Sequence, residues 1–370
     1  MSLRERILEE IATRGPIPFS RYMEMCLYDP KEGYYSRPQE KFGRAGDFYT
    51  SSDVHAVFGR LLARQFEGMW RRLGAPKRLD LIELGPGRGL FARDVLDWSR
   101  KKFPEFFAAL HYRLVEASPI LRQGLQERLG ESIAQGRVSI AAQPEEIAPA
   151  QHAIVFANEF FDALPVELVD ARGEVRVDAR DGRLVEVFAP PSVEALEYLD
   201  HYAVHPEAGE RVEAGLEAQR WGSRMARLAE RAFFVLIDYG YTREELLAGR
   251  HRGTVMAYRR HTASANPYEA PGEQDVTAHV NFTALSGAAR EAGLDVLGLV
   301  TQSQFLMGIG EENEFADAFE DCRLPQERAK VALQLKHLVS PAGMGESFHV
   351  LVLGKGVTKD GIRGLAFARL

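Results

Sequence analysis

Apolar and polar positions follow two alternating rhythms through the middle of the chain. Short apolar runs, "LDLIELG" from Leu79, "HYRLVEA" from His111, "RVSIAA" from Arg137 and "AIVFAN" from Ala153, alternate with stretches of helical spacing, from Gly89 towards Lys102 and from Pro119 to Leu129. Compact apolar runs bounded by turn residues read as buried strands, and apolar positions recurring every three or four residues read as helices. Strands alternating with helices imply right-handed crossovers and a parallel sheet. Two further runs, "FFVLIDYG" (Phe233 to Gly240) and "LDVLGLVTQ" (Leu294 to Gln302), bring the expected parallel strands to six. A seventh, "SFHVLVLGKG" (Ser347 to Gly356), is expected to close the sheet at an edge. The fold class is therefore α/β, with a seven-stranded, mostly parallel sheet.

Other segments depart from this rhythm. Two helices are expected before the sheet, one ending at Gly15-Pro16 and one from Ser20 to just before Asp29-Pro30. Residues 31–53 carry Gly, Ser and aromatics without periodicity, which predicts a long loop of functional character. After the fourth strand, "VELVDARGEVRVDARDGRLVEVFAP" alternates about Arg-Gly and Asp-Gly turns and predicts a pair of hairpins. Val212, Leu216, Met225 and Leu228 lie near helical spacing between Arg211 and Ala232, and Asn313 to Val339 reads as two helices broken near Pro325. The expected division is residues 1–74 as N-terminal helices and covering loop, 75–165 and 232–356 as the core with a helical insertion near 310–340, and 166–231 as a hairpin and helix insertion.

Composition narrows the function without naming it. The 370 residues are 45% hydrophobic and 27% charged, as in an ordinary globular protein. A formal charge of -7 argues against a broad electrostatic grip on nucleic acid. Cys26 and Cys322 stand far apart in no metal spacing, and the pair His201 and His205 has no evident third ligand, so no metal is expected. The first residues mix acids and bases, unlike a secretory signal or an acid-poor transit peptide, and no apolar run is long enough for a bilayer. The expectation is a cytoplasmic protein of unspecified oligomeric state, with neither membrane nor nucleic acid as partner.

The chemistry concentrates in "ELGPGRG". A strand running through glycines into a helix presents unpaired N-H groups and a positive dipole end, and glycine lets a ligand approach the backbone. A dinucleotide fingerprint from Gly85 would need a small residue at position 90, where Leu90 stands, and the third glycine falls at Gly89 instead. The acid closing the next strand, Glu116, comes well after the position about 20 residues on at which dinucleotide folds hold the ribose. No Gly-Lys-Ser/Thr follows, which removes a P-loop.

With Glu-x-Gly-x-Gly-x-Gly at Glu83 to Gly89 and Glu116 closing the next strand, the chain resembles class I S-adenosylmethionine-dependent methyltransferases, whose core is Rossmann-like. The segments "GDFYTSSDVHAVFG", "ELGPGRG", "NEFFDALP", "IDYG" and "DVTAHVNF" stand in the order found in the MidA family, and the resemblance covers nearly the full length. That family includes mitochondrial protein-arginine methyltransferases of complex I assembly. The resemblance implies S-adenosylmethionine as cofactor, held by Thr50, Ser51, Glu83, Gly85, Pro86, Gly87, Gly89, Glu116 and Asn158. It also implies a protein substrate, with a respiratory complex I subunit or homologue as the candidate. A small-molecule methyltransferase and a non-catalytic cofactor-binding assembly factor are the alternatives.

Ligands of doubly wound sheets lie beyond the carboxyl ends of the strands. "NEFFDALP" follows the fourth strand there, which makes Glu159 and Asp162 the candidate catalytic carboxylates and Phe160 and Phe161 candidate substrate contacts. A guanidinium stays protonated and donates in a planar fork, so carboxylates could orient one nitrogen and take up the released proton. The bland alternative has either acid capping a helix from Ala163 while the phenylalanines pack in the core. Asp275 and His279, in "DVTAHVNF" before a helix expected from Asn281, are the remaining substrate-contact candidates. The loop "GDFYTSS" is expected to cover the cofactor with Asp47, Tyr49, Thr50 and Ser51. The double-glutamate loop of other arginine methyltransferases is not reproduced.

Overall fold

Helices begin and end where the local chemistry provides caps. Ser2 accepts the Glu5 N-H while the Glu5 carboxylate accepts the Ser2 N-H, and this capping box opens the helix Leu3–Arg14, which stops at Gly15 with a φ of 80°. Ser118 likewise accepts the Leu121 N-H ahead of the helix Pro119–Arg128, which has proline in its first turn. The computed structural model describes residues 1–37, 56–248, 252–259 and 262–368. The expected covering residues Asp47, Tyr49, Thr50 and Ser51 lie outside them.

Contacts divide the described residues into two units. A sheet unit comprises residues 56–160, 223–239 and 289–368, and a hairpin unit comprises 1–37, 161–222 and 240–288. The three-part division expected from chain order differs, because the N-terminal segment contributes a strand to the hairpin sheet and cannot be set apart from it.

In the sheet unit, β2 (Leu79–Leu84), β3 (Leu110–Val115), β4 (Val138–Ala141), β5 (Ala150–Asn158), β10 (Ala229–Tyr241), β15 (Asp295–Thr301) and β16 (Phe348–Lys355) lie in the order β15-β16-β10-β5-β2-β3-β4. Neighbours pair in parallel except β16, which is antiparallel to both β10 and β15. The expectation that the last strand closes an edge is therefore corrected. The run "FHVLVLG" is buried at every position because a strand covers each of its edges, whereas the true edge strand β15 is mostly half-exposed.

Every residue of β2 is buried. Asp80 at its start is tolerated there because Arg113 Nη2 lies 2.8 Å and His111 Nδ1 3.1 Å from its carboxylate. Helices Ala56–Arg72 and Leu90–Lys102 pack their apolar faces over the sheet, with Phe91 stacked on Phe156 at 4.3 Å between ring centres. From β2 the chain winds outward through β3 to β4, then returns to β5 on the opposite side of β2. That reversal makes the carboxyl ends of β2 and β5 the switch point, where such sheets bind ligands.

In the hairpin unit, β6 (Glu167–Asp170), β7 (Gly173–Arg180) and β8 (Arg183–Ala189) form the two expected hairpins. Asp181 and Gly182, at φ 50° and 72°, make the left-handed two-residue turn that matches strand twist. β1 (Ile17–Pro18) pairs with β7, and β9 (Arg211–Ala214) pairs with β6. The latter corrects the helical reading of Arg211 onward: the segment opens as a strand and only then becomes the helix Leu216–Ala226. β11 (Met256–Arg259), β12 (Thr262–Ser264) and β13 (Asp275–Thr277) form a second small sheet. The helix Phe282–Glu291 follows β14 (Val280–Asn281) as expected. No helix starts near Ala163, so neither Glu159 nor Asp162 caps one there; the chain turns through 161–164 and enters β6.

Candidate active site

The glycine loop leaves β2 in left-handed backbone, with φ 64° at Gly85, 53° at Gly87 and 70° at Gly89. The Gly85 N-H donates to the Val115 carbonyl at 2.9 Å, tying the loop to β3, and the Gly89 N-H donates to the Pro86 carbonyl at 2.8 Å, closing the turn. A Cβ at Gly85 would lie 2.8 Å from Phe160 Cδ2, and one at Gly89 would lie 2.5 Å from Leu125 Cδ2. Glycine is thus required twice over, by conformation and by space. The helix Leu90–Lys102 begins at Gly89 without a side-chain cap, and its basic last turn complements the opposite dipole end.

Beneath the loop, the buried Glu83 carboxylate accepts the Tyr112 hydroxyl at 2.7 Å. Burial pushes Glu83 up to about 8, the Tyr112 hydrogen bond works against this, and the charge of Glu116 adds to it. Glu116, also buried, accepts the Ser118 N-H through Oε1 at 2.9 Å, while Arg122 Nη1 holds the Glu116 carbonyl at 2.7 Å. The helix cap is Ser118, so Glu116 is not spent on it. Two buried acids below a glycine loop that allows close backbone approach suit a ligand carrying an ammonium group and hydroxyls.

Across the switch point, β5 ends in Asn158, whose Nδ2 donates to Glu159 Oε1 at 3.1 Å and whose buried Oδ1 has no hydrogen-bond partner among the described residues. Glu159 has a φ of 51°, a left-handed conformation that L residues adopt at a cost of about 1–2 kcal/mol. Such strain persists only where the surroundings hold it. Its N-H donates to the Ile237 carbonyl at 2.9 Å, and the next N-H, of Phe160, donates to Asp238 Oδ2 at 3.1 Å. Asp238 is fully buried on β10 and also accepts the Tyr239 N-H at 2.9 Å.

Apart from Phe160, the remaining candidates belong to the hairpin unit. Phe161 is buried rather than half of an exposed aromatic pair; Phe160 is half-buried. The Asp162 carbonyl accepts the Ala278 N-H at 2.9 Å, joining the turn 161–164 to "DVTAHVNF". Buried Asp275 accepts the Tyr35 hydroxyl at 3.0 Å. Burial, then the charges of Asp275 and Asp162, hold Tyr35 well above its ordinary value, and burial followed by Asp162 and Asp275 raises Tyr258. Asp162, Asp275, Tyr35 and Tyr258 therefore form one acidic, phenol-lined cluster. The His279 N-H donates to Thr254 Oγ1 at 3.0 Å. His205, one of the two histidines at metal-like spacing, lies 2.7 Å from Asp200 instead.

Sequence reasoning did not find Tyr112, Asp238, Tyr35 or Tyr258. Tyr112 occupies an alternating position of a strand and reads as core, while Asp238 lies within "IDYG", a segment singled out but given no role.

Comparison with known proteins agrees with this geometry. Residues 61–300 match a family model described as S-adenosyl-L-methionine-dependent methyltransferase. The protein arginine methyltransferase NDUFAF7 homolog, mitochondrial, of Drosophila melanogaster is 31% identical over 96% of this chain and 85% of its own length. The mitochondrial protein arginine methyltransferase NDUFAF7 of Danio rerio is 30% identical over 94% and 86%. A Burkholderia thailandensis protein solved with S-adenosyl-homocysteine bound has 31% identity and a TM-score of 0.86, covering 99% of this chain and 95% of that one. These findings bear out an α/β methyltransferase fold and S-adenosylmethionine as the cofactor. They overturn the expected cytoplasmic location, because these curated relatives, the Homo sapiens one among them, are named mitochondrial. A compartment is read from targeting signals, which leave no mark on core packing. Among the described residues no helix is long and apolar enough to cross a membrane.

Proposed function

We propose, for a chain that belongs to the family of S-adenosyl-L-methionine-dependent methyltransferases, that the methyl acceptor is arginine in a protein substrate. The observation that carries the reading is the turn after β5, where a strained carboxylate, Glu159, stands across the switch point from the glycine loop. The names of the relatives support the acceptor class.

In this reading Gly85, Gly87 and Gly89, which carry no side chain, let the cofactor's methionine part approach the backbone closely, with Pro86 shaping the turn. Glu83 and Asn158 Oδ1 accept from its ammonium group, and Glu116 bonds the ribose hydroxyls. S-adenosylmethionine supplies a methyl group on a sulfonium, whose carbon-sulfur bond breaks as the new nitrogen-carbon bond forms. Glu159 accepts a guanidinium N-H, aims that nitrogen along the line of displacement and takes up the proton it loses. Asp162, three residues on, is the second carboxylate proposed for the guanidinium, and Asp275 and His279 are proposed substrate contacts with Phe160 and Phe161. A respiratory complex I subunit or its homologue is the proposed substrate.

Incubation of a lysate with methyl-labelled cofactor, followed by acid hydrolysis and amino-acid analysis, tests the reading. Label in methylarginine, dependent on the enzyme, is expected. Label confined to small molecules, or none, would overturn it.

A further inference from the structure

The two turns at the switch point touch each other, and the proposed catalytic roles make no use of that contact. β2 and β5 run parallel with Leu84 beside Ala157, so the glycine loop and the Glu159 turn leave the sheet side by side. Half-buried Phe160 spans the gap between them. Its ring packs so closely on Gly85 that a Cβ there would lie 2.8 Å from Cδ2 and 3.6 Å from Cε2. Its backbone N-H donates to Asp238 Oδ2 on β10 at 3.1 Å. One residue thus has its main chain fixed by the sheet and its side chain resting on the loop.

The two supports differ in rigidity. Asp238 is fully buried on a strand paired along both edges, so it holds the Phe160 N-H whether or not a ligand is bound. Gly85 has no side chain to lock it, and its N-H is tied to the Val115 carbonyl at 2.9 Å. Glycine has the widest backbone freedom of any residue, so a loop with three of them gains rigidity when a ligand lies against it. A ligand on the loop therefore fixes the surface beneath the Phe160 ring. Glu159, one residue earlier, has a φ of 51°. A conformation of that kind persists only where the surroundings over-determine it, and a fixed Phe160 ring removes one route by which the turn could relax.

We propose that Phe160 is a positioning residue coupling the two turns: a cofactor on the glycine loop holds the Phe160 ring, and the ring holds Glu159 in its left-handed conformation. The reactive carboxylate is therefore set in place in the cofactor-loaded enzyme. The inference rests on the reading that the loop holds the cofactor and that Glu159 meets the methyl acceptor.

The test is hydrogen exchange followed by mass spectrometry on the full chain, with and without saturating S-adenosylhomocysteine. In the parent the ligand should slow exchange by about fivefold or more both at residues 85–89 and at residues 158–160. Phe160→Ala should still bind the ligand by calorimetry and keep the slowing at 85–89, yet lose it at 158–160. Phe160→Leu, which keeps an apolar side chain against Gly85, should retain both. Should Phe160→Ala fold poorly, Phe160→Val shortens the side chain less and should show the same selective loss. Slowing in the loop without slowing in the turn would overturn the coupling. So would a truncated variant whose turn is protected as in the parent, since the ligand would then act on the turn directly. Binding that slows neither segment would overturn the loop as the cofactor site as well. Coupling of the expected size in an enzyme that labels no arginine would support the role of Phe160 and overturn the acceptor reading instead.

Discussion

Two turns at the carboxyl ends of neighbouring strands meet the same geometric demand in opposite ways. After β2 the backbone enters left-handed space at Gly85, Gly87 and Gly89; after β5 it does so at Glu159. Where side chains would exclude a ligand from the backbone, the chain has none, and a Cβ at Gly85 would already strike Phe160. After β5 the chain keeps a side chain at that φ, the carboxylate proposed for the guanidinium, and supports the turn through Asp238 and the Ile237 carbonyl. Positive φ alone therefore assigns no role, since Ala75, Asp181, Ala203, Glu314 and Phe315 share it with Glu159. The substitutions below test the proposed division between a binding turn and a reactive one.

The largest expected effect breaks the first turn. Gly87→Val should weaken cofactor binding by about a hundredfold or more, since a β-branched residue is a genuine outlier at positive φ and fills the approach surface. Retained affinity by calorimetry would remove the loop from the site.

The second turn is tested by two substitutions with opposite signatures. Glu159→Gln should lower turnover by about 10²–10⁴-fold, the range for a lost general base, while leaving cofactor affinity within a few fold. Glu159→Gly should also lose turnover yet raise thermal stability by about 1 kcal/mol, because it relieves the left-handed strain. A Gly variant no more stable than the parent would show that Glu159 carries no such strain. Asp162→Asn should lower turnover without changing cofactor affinity; unchanged turnover would remove Asp162 from catalysis.

A smaller effect is expected from the support. Asp238→Asn leaves Phe160 or Tyr239 with a weakened acceptor and should cost about 1–3 kcal/mol in denaturant unfolding. Turnover should fall with KM for the protein substrate nearly constant. A change in KM alone would contradict a role in holding the Glu159 turn.

The mildest test is pH. Folded Glu83 keeps its proton up to about pH 8, whereas the unfolded chain releases it in the ordinary carboxylate range. The folded state therefore binds more protons between those values. The Glu83 contribution to stability is full in acid and is lost as pH rises towards 8. An ammonium group beside Glu83 favours its ionised form, so cofactor affinity should rise several-fold from about pH 6 to about pH 8, and Glu83→Gln should flatten that rise. A flat profile in the parent would place the ammonium group elsewhere.

The parallel core was legible because its strands are covered on both faces and so appear as unbroken apolar runs. The position of β16 was not, since burial on both sides of a strand and closure at an edge give similar short apolar runs. Glu83, Glu116 and the three glycines were singled out by spacing and resemblance, and the structure shows both acids buried and the glycines in left-handed backbone. Tyr112 and Asp238 could not, because a hydroxyl or carboxylate inside an apolar strand declares no partner until the neighbouring strand is in register. The N-terminal residues Ile17 and Pro18 read as a linker between helices, yet they pair with Val177 and Arg176 far along the chain.

Sequence alone therefore determined the strand-helix rhythm, the turns that need glycine and the acid at the end of the second core strand, all of them local consequences of side-chain shape and periodicity. Only the tertiary structure decided which acids are buried, which groups hold the Glu159 turn, and that Glu83 meets the Tyr112 hydroxyl. Those properties depend on what distant segments bring to the same few ångströms, where low polarity strengthens every unpaired charge.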